Sequence, residues 1–333
     1  MNNKQIDILA IGDITIDAFI KLKDANVNCD INHEHCKICF GFGDKVPYES
    51  VTVCNATGNG PNASVCASRL GLSSAVLTYI GDDQNGKDCI AELQKNNVDT
   101  THVNTVNDRH TNYHYILWYD VDRTILTKHE DFIYSLGSID TPRWIYFSSL
   151  GENSLDFHAE IADYIEKNPE TKLAFQPGTF QIKAGKEALA KVYKNTEIFF
   201  CNVEEAQKIL NEESRDLPTL LQNMANLGPK IVVITDGFAG AYAFDTRSGE
   251  KWFMPIYPHT PVERTGAGDA FASTIVSALA LGKTLEEALL WGPINSQSVV
   301  QQVGSQRGLL TQEQIQEFLT KAPEDYKPRK MPV

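Results

Sequence analysis

The chain has 333 residues and a net charge of −13, and its pI is near 5.1, so nucleic acid and anionic membrane, which need basic surfaces, are excluded as partners. The length can bury a large core and suits one α/β domain with an appendage. No apolar run approaches a membrane span, the opening MNNKQIDILAIGD lacks the basic and apolar regions of a signal peptide, and seven cysteines, an odd number, make no extracellular disulfide framework. A cytoplasmic protein with reduced thiols is expected.

In chain order, IDILAIGD (6–13) is mostly apolar, ends at a Gly-Asp turn and predicts a buried strand of a parallel sheet. From 14 to about 53 there is no helical period, only scattered aromatics, glycines and a cysteine–histidine cluster, as in an excursion from the main sheet. A helix is predicted over 61–70, stopped by Gly71, then a strand at AVLTYIG (75–81) and a helix over 86–96. The stretch RHTNYHYILWYDVDRTILT (109–127) alternates as strands do and is expected to pair with the first excursion. The segments of about 14–53 and 109–128 would together form a lid.

Strand RWIYFSS (143–149), a helix over 155–167, strand KLAFQP (172–177), a helix over 183–194, strand EIFFCN (197–202) and a helix from about 203 come next. Strand KIVVIT (230–235), a Gly turn and GAYAFD (240–245) precede a C-terminal third that reads as helical from 268. The alternation predicts a mainly parallel sheet covered on both faces, with ligands at the carboxyl ends of the strands. The polar tail KAPEDYKPRKMPV (321–333) reads as a loosely held end, leaving 1–320 as the domain.

Five short motifs fall at strand ends or helix starts: GDITID, TGNGPNAS, CNVEE, ITDGFAG and ERTGAGDAF. In the last, Gly266, Ala267 and Gly268 separate a polar run from Asp269, which opens an apolar helical segment. Glycines bring backbone N–H groups close to a ligand, and a helix start presents unpaired N–H groups, so this is a seat for an anion. A carboxylate beside such a seat repels an anion unless it has its own task, such as taking a proton from a nucleophile that attacks the bound group. A glycine loop with an Asp cap is the plainer alternative.

Taken in this order, the motifs resemble those of the ribokinase-like, or phosphofructokinase-B, family of ATP-dependent sugar and nucleoside kinases, and the resemblance covers nearly the whole chain. It implies a ribokinase-like three-layer α/β/α domain with a small β lid, ATP as co-substrate and magnesium as cofactor. It also implies that Asp269 deprotonates the acceptor hydroxyl and that the N–H groups of Gly266, Ala267 and Gly268 stabilise the transferred phosphoryl group. Asn202 and Glu205 match the Asn-x-x-Glu motif that holds magnesium through water; an Asn cap with acids in the first turn is the alternative. Asp17, with Asp13 beside it, would bind sugar hydroxyls. Gly58, Asn59, Gly60 and Asn62 resemble the glycine-rich substrate loop, while Thr235, Gly237 and Gly240 fit the phosphate and ribose turn and Asn295 to Gly304 the adenine wall.

Two features stand apart. Where the family commonly has Asp-Thr-Thr, this chain has Glu263, Arg264 and Thr265, so potassium activation is left open, and Arg264 becomes a candidate phosphate contact or the partner of a surface acid. Cys29, His33, Cys36 and Cys39 have a spacing that offers four zinc ligands, against reduced thiols as the simpler reading. The expected activity is phosphorylation of the hydroxymethyl group of a small sugar. A nucleoside kinase is the rival, because Phe40, Phe42, Trp118 and Tyr119 lie in lid segments where a ring could stack a base. A catalytically silent binding regulator is the second alternative, and a homodimer through the lid is a further implication.

Overall fold

The computed structural model describes residues 5–28, 37–119 and 122–331. Strand β1 (Ile8–Ile11) leads with a three-residue break into β2 (Thr15–Leu22), which leaves the main sheet. The hairpin of β3 (Asn26–Asn28) and β4 (Lys37–Cys39) is followed by β5 (Tyr48–Thr57), helix α1 (Asn59–Arg69), β6 (Ser74–Gly81), α2 (Gln84–Lys95) and β7 (Val103–Val106). Strands β8 (Asn112–Tyr119) and β9 (Asp122–Leu126) precede β10 (Trp144–Phe147), α3 (Leu155–Lys167), β11 (Lys172–Phe175), α4 (Thr179–Ala184) and α5 (Ala190–Lys194). Then come β12 (Ile198–Asn202), α6 (Val203–Leu210), α7 (Leu217–Ala225), β13 (Ile231–Thr235), β14 (Ala241–Asp245) and β15 (Glu250–Met254). Helices α8 (Ala267–Ala280), α9 (Leu285–Val299) and α10 (Gln312–Thr320) and strand β16 (Arg329–Lys330) complete the chain.

The main sheet has ten strands in the order β16-β15-β14-β13-β12-β11-β10-β1-β6-β7, parallel from β13 to β7 and antiparallel beyond. Its apolar strands are buried on both faces, so alternate residues feed two cores. Ile8 and Ala10 pack with Phe271, Ile275 and Leu289, whereas Leu9 and Ile11 pack with Phe147, Phe157 and Leu220. The two excursions do pair: β2 runs antiparallel to β5 and parallel to β8, giving a four-stranded lid sheet in the order β5-β2-β8-β9. Among the described residues no helix is long and apolar enough to cross a membrane.

Three expectations change. The helix over 183–194 is broken into α4 and α5, because Gly185 adopts a φ of +90° and ends the first piece. Strand β15 was not foreseen, since its apolar residues sit between lysine and loop. The tail up to residue 331 is not loose: Tyr326 is buried, donates its hydroxyl to the Leu290 carbonyl at 2.6 Å and packs edge-on to Tyr257, and β16 pairs with β15. One aromatic ring with a satisfied hydroxyl is enough to dock a polar tail. Of the zinc candidates, Cys29, His33 and Cys36 lie outside the described residues. Cys39 sits on β4 near Asn28 and the Lys37 carbonyl, and no metal-holding group of His, Cys, Asp or Glu occurs among the described residues.

Candidate active site

One end of the candidate site forms where β1 runs out against α1. A Cβ on Gly60 would lie 2.9 Å from the Gly12 nitrogen, and one on Gly58, whose φ is +112°, would collide with the Asp13 carbonyl. These glycines let the helix press against the strand end, which sets Asp13, Asn59 and Asn62 side by side. Asp13 is buried and accepts from the Tyr134 hydroxyl at 2.9 and 3.2 Å, with His129 Nδ1 3.5 Å away. Strand register places His114 opposite Asp17, with Nδ1 at 3.4 Å from the carboxylate. The two imidazoles lie 5.2 Å apart, and His129 meets Phe180 edge-on. Asp17 Oδ1, His114 Nε2 and His129 Nδ1 are buried with no hydrogen-bond partner, so the cleft holds polar capacity that the protein itself does not use.

Asp269 lies in the first turn of α8, whose cap Gly266 has a φ of +83° and would drive a Cβ to 2.5 Å from Ser305 Cβ. Its carboxylate accepts from Asn59 Nδ2 at 2.9 Å, Asn62 Nδ2 at 2.8 Å and Gln176 Nε2 at 3.2 Å. Asn62 is held in that orientation because its Oδ1 accepts from Ser305 Oγ and Gln306 Nε2, each at 2.9 Å. Gln176 is held by the Tyr146 hydroxyl, which donates to its Oε1. Burial pushes the Asp269 carboxyl up to about 6; the bonds from Asn62 and Gln176 hold it down, and the Asp17 charge adds to the rise. Asn62, expected to read hydroxyls, thus has both ends of its amide engaged within the protein and positions Asp269.

On the other side of α8 lies a cavity of about 220 Å3 lined by Thr235 at the end of β13, by Gly237, Phe238 and Gly240 after it, by Arg264, Ala267 and Gly268, and by Pro293, Ser296, Gln297 and Val300 of α9 and its end. The Arg264 guanidinium stacks over Phe238 at 5.2 Å. Asn295 does not reach this cavity: it is buried, donates to Thr274 Oγ1 at 2.7 Å and accepts from the Leu310 N–H at 2.9 Å. Helical spacing explains the error, since residues 293, 296, 297 and 300 share one face and 295 falls off it.

Asn202 and Glu205 form a reciprocal capping box on α6: Asn202 Oδ1 accepts from the Glu205 N–H at 2.8 Å and Glu205 Oε2 from the Asn202 N–H at 2.9 Å. Burial raises the Glu205 carboxyl, with the Asp269 charge adding to the effect against the Asn202 bond and Lys208. Its Oε1 has no hydrogen bond among the described residues, so the cap and a water-mediated cation contact are compatible. Glu263, only 1% exposed, accepts from the Thr265 N–H at 2.8 Å and its hydroxyl at 2.6 Å, while Arg123 of the lid stands 3.6 Å away. Sequence reasoning missed His114, His129, Tyr134 and Gln176; only Gln176, at the end of an apolar strand, carried a positional signal.

A parallel sheet with a polar, carboxylate-lined cleft under a β lid, joined at one helix N-terminus to a second cavity with cationic and glycine walls, defines a small-molecule kinase. The chain belongs to the pfkB family of carbohydrate kinases, whose profile matches residues 19–312, and is an ATP-dependent enzyme of that class. It is 26% identical to a ribokinase of Haemophilus influenzae over 280 residues, covering 80% of this chain and 87% of that one. It is 24% identical to a 5-dehydro-2-deoxygluconokinase of Bacillus subtilis over 290 residues, covering 81% and 89%. Among solved structures it resembles an Arabidopsis thaliana ribokinase complexed with ribose and ATP, with a TM-score of 0.76, 18% identity and coverage of 95% and 99%. It also resembles a Methanocaldococcus jannaschii nucleoside kinase, with a TM-score of 0.75, 17% identity and coverage of 96% and 100%.

Proposed function

We propose that the protein transfers the γ-phosphoryl group of ATP to the hydroxymethyl group of a small sugar, with Asp269 as general base. The observation that carries this reading is a carboxylate fixed by three amide donors, raised to about 6, and next in sequence to Gly268 on the wall of the second cavity. The acceptor oxygen gives its proton to Asp269 and attacks the γ-phosphorus as the bond to the bridging oxygen breaks and ADP leaves with the electron pair. N–H groups of Gly266, Ala267 and Gly268 form the anion hole. That of Ala267 makes only a 3.4 Å contact to the Arg264 carbonyl, long enough to turn to a phosphate. Arg264, Thr235, Gly237 and Gly240 receive the nucleotide. Magnesium, when bound, neutralises phosphate charge; Glu205 Oε1, with Asn202 beside it, would hold it through water.

Asp13, Asp17, His114 and His129 supply the acceptors and donors that a polyol requires. Of the lid aromatics that could stack a base, Phe42 is fully exposed, Phe40 is 41% exposed and Trp118 already carries the Lys21 ammonium 5.6 Å from its ring, which favours a sugar over a nucleoside although Tyr119 is half-buried. The outer lid face, where Val53, Tyr115 and Leu126 share register and are exposed, supports a homodimer as its cover. The test is magnesium- and ATP-dependent ADP release over pentoses, hexoses, sugar acids and nucleosides, with Asp269→Asn as control. One acceptor whose turnover vanishes in the control supports the reading. ATP binding with silence across the panel would overturn it in favour of a binding regulator.

A further inference from the structure

Glu263 places a carboxyl group where almost no solvent reaches. It is almost fully buried in the loop that leads to Gly266, and its Oε2 has no hydrogen-bond partner. Its Oε1 ties the Thr265 N–H and hydroxyl, and the N–H groups of Val262 and Glu263 both donate to the Val300 carbonyl, at 2.8 and 3.1 Å. The side chain therefore sets the shape of the turn that presents the anion hole. A buried carboxylate is costly unless a cation compensates it. The cation found there comes from another sheet: Arg123, on β9 of the lid, places Nε 3.6 Å from Glu263 Oε1, and that Nε is itself buried and unbonded. A charge-assisted N–H···O bond spans about 2.8 Å, so the pair stands roughly 0.8 Å short of contact.

We infer that Arg123 is a positioning residue that couples closure of the lid to the geometry of the anion-hole loop through Glu263. Downward movement of the lid over an acceptor completes the ion pair, compensates the buried carboxylate and fixes the turn from Glu263 to Gly266. With the lid raised, the same carboxylate draws water into the loop and the N–H groups lose their alignment. Acceptor binding under the lid thereby licenses transfer at the N-terminus of α8. The inference rests on the kinase reading above, and its test separates the two.

The experiment compares Arg123→Met, Arg123→Lys, Glu263→Gln and the Arg123→Met/Glu263→Gln double variant of the full chain. Glu263→Gln keeps an oxygen for Thr265 while removing the charge. Arg123→Met is expected to lower kcat about 5- to 150-fold, the ordinary range of coupling between sites, with ATP affinity unchanged and the acceptor KM raised less than kcat falls. Arg123→Lys recovers part of the loss, and the double variant loses less than the product of the two single losses. Multiplicative losses, or an Arg123→Met kcat within twofold of wild type, would overturn the inference. Hydrogen exchange provides an arm independent of turnover: Arg123→Met should speed exchange in both 122–126 and 263–268. If the wild type phosphorylates nothing, the kinase reading fails and this arm decides the coupling alone; unchanged exchange at 263–268 refutes it.

Discussion

Replacing Asp269 by Asn is the perturbation whose consequences the structure sets out most fully. The amide keeps the size of the side chain and can still accept from Asn62 or Asn59, but it cannot take a proton, so kcat should fall about 10²- to 10⁴-fold. In the wild type the carboxyl titrates near 6, so log kcat/KM should rise with unit slope below about pH 6 and level off above it. The fold should not suffer. A carboxyl moved from 3.8 to about 6 favours the native state most below 3.8 and loses that stability as pH rises through 6; once ionised it costs up to about 3 kcal/mol. Asn removes that cost at pH 8 while turning one N–H toward an amide donor, so its thermal midpoint should equal or exceed that of the wild type. Coupled ADP release from pH 5 to 8, with thermal melts of the same preparations, measures both. Turnover within threefold of wild type, or a flat wild-type profile across that range, would refute the general-base argument.

Gly266→Ala must place an L residue at a φ of +83° with its Cβ 2.5 Å from Ser305, so a loss of about 2 kcal/mol or more in urea unfolding, with a depressed kcat, is expected. Arg264→Ala should weaken ATP binding about tenfold in calorimetry while leaving the acceptor KM within twofold; the reverse pattern would move Arg264 out of the nucleotide site. His158 is buried between Phe147 and Phe175, and burial lowers it from 6.5 to about 4, so the stability of its neutral form is present above 6.5 and lost as pH falls toward 4. Between pH 7.5 and 5 the wild type should lose about 2 kcal/mol relative to His158→Gln in urea unfolding; an unchanged difference would show that burial does not shift the ring's protonation on folding.

The strands of the main sheet were legible because burial on both faces demands apolar runs, as in AVLTYIG and KIVVIT, and turn glycines bounded them. What escaped was whatever depended on a partner distant in sequence. Tyr326 looks like part of a polar tail until Tyr257 and the Leu290 carbonyl are beside it. The motif residues Asp13 and Asp269 sit at a strand end and a helix start whose local chemistry advertises them, and Asp17 lies four residues beyond Asp13 on β2. His114 lies in alternating lid sequence, where an inward imidazole and an outward one look alike until register is fixed, and His129 follows β9 in a connection that carries no pattern. Asn59 and Asn62 were readable as site residues but not as supports of Asp269, because that distinction depends on Gln176 and the Ser305-Gln306 pair arriving from two other segments. Asn295 was misplaced by treating a helix as a stretch of residues when its face decides contact.

The bond from Asn59 to Asp269 joins positions 210 residues apart. During synthesis, the β1–α1 junction therefore leaves the ribosome long before α8 exists, and until α8 docks, its asparagines have no carboxylate to hold. A chain that ends before α8 lacks Asp269, the turn from Gly266 to Gly268 and the walls that α8 and α9 give the second cavity. Phosphotransfer thus begins only in a nearly finished polypeptide, and a product that ends early has no means of hydrolysing ATP at this site.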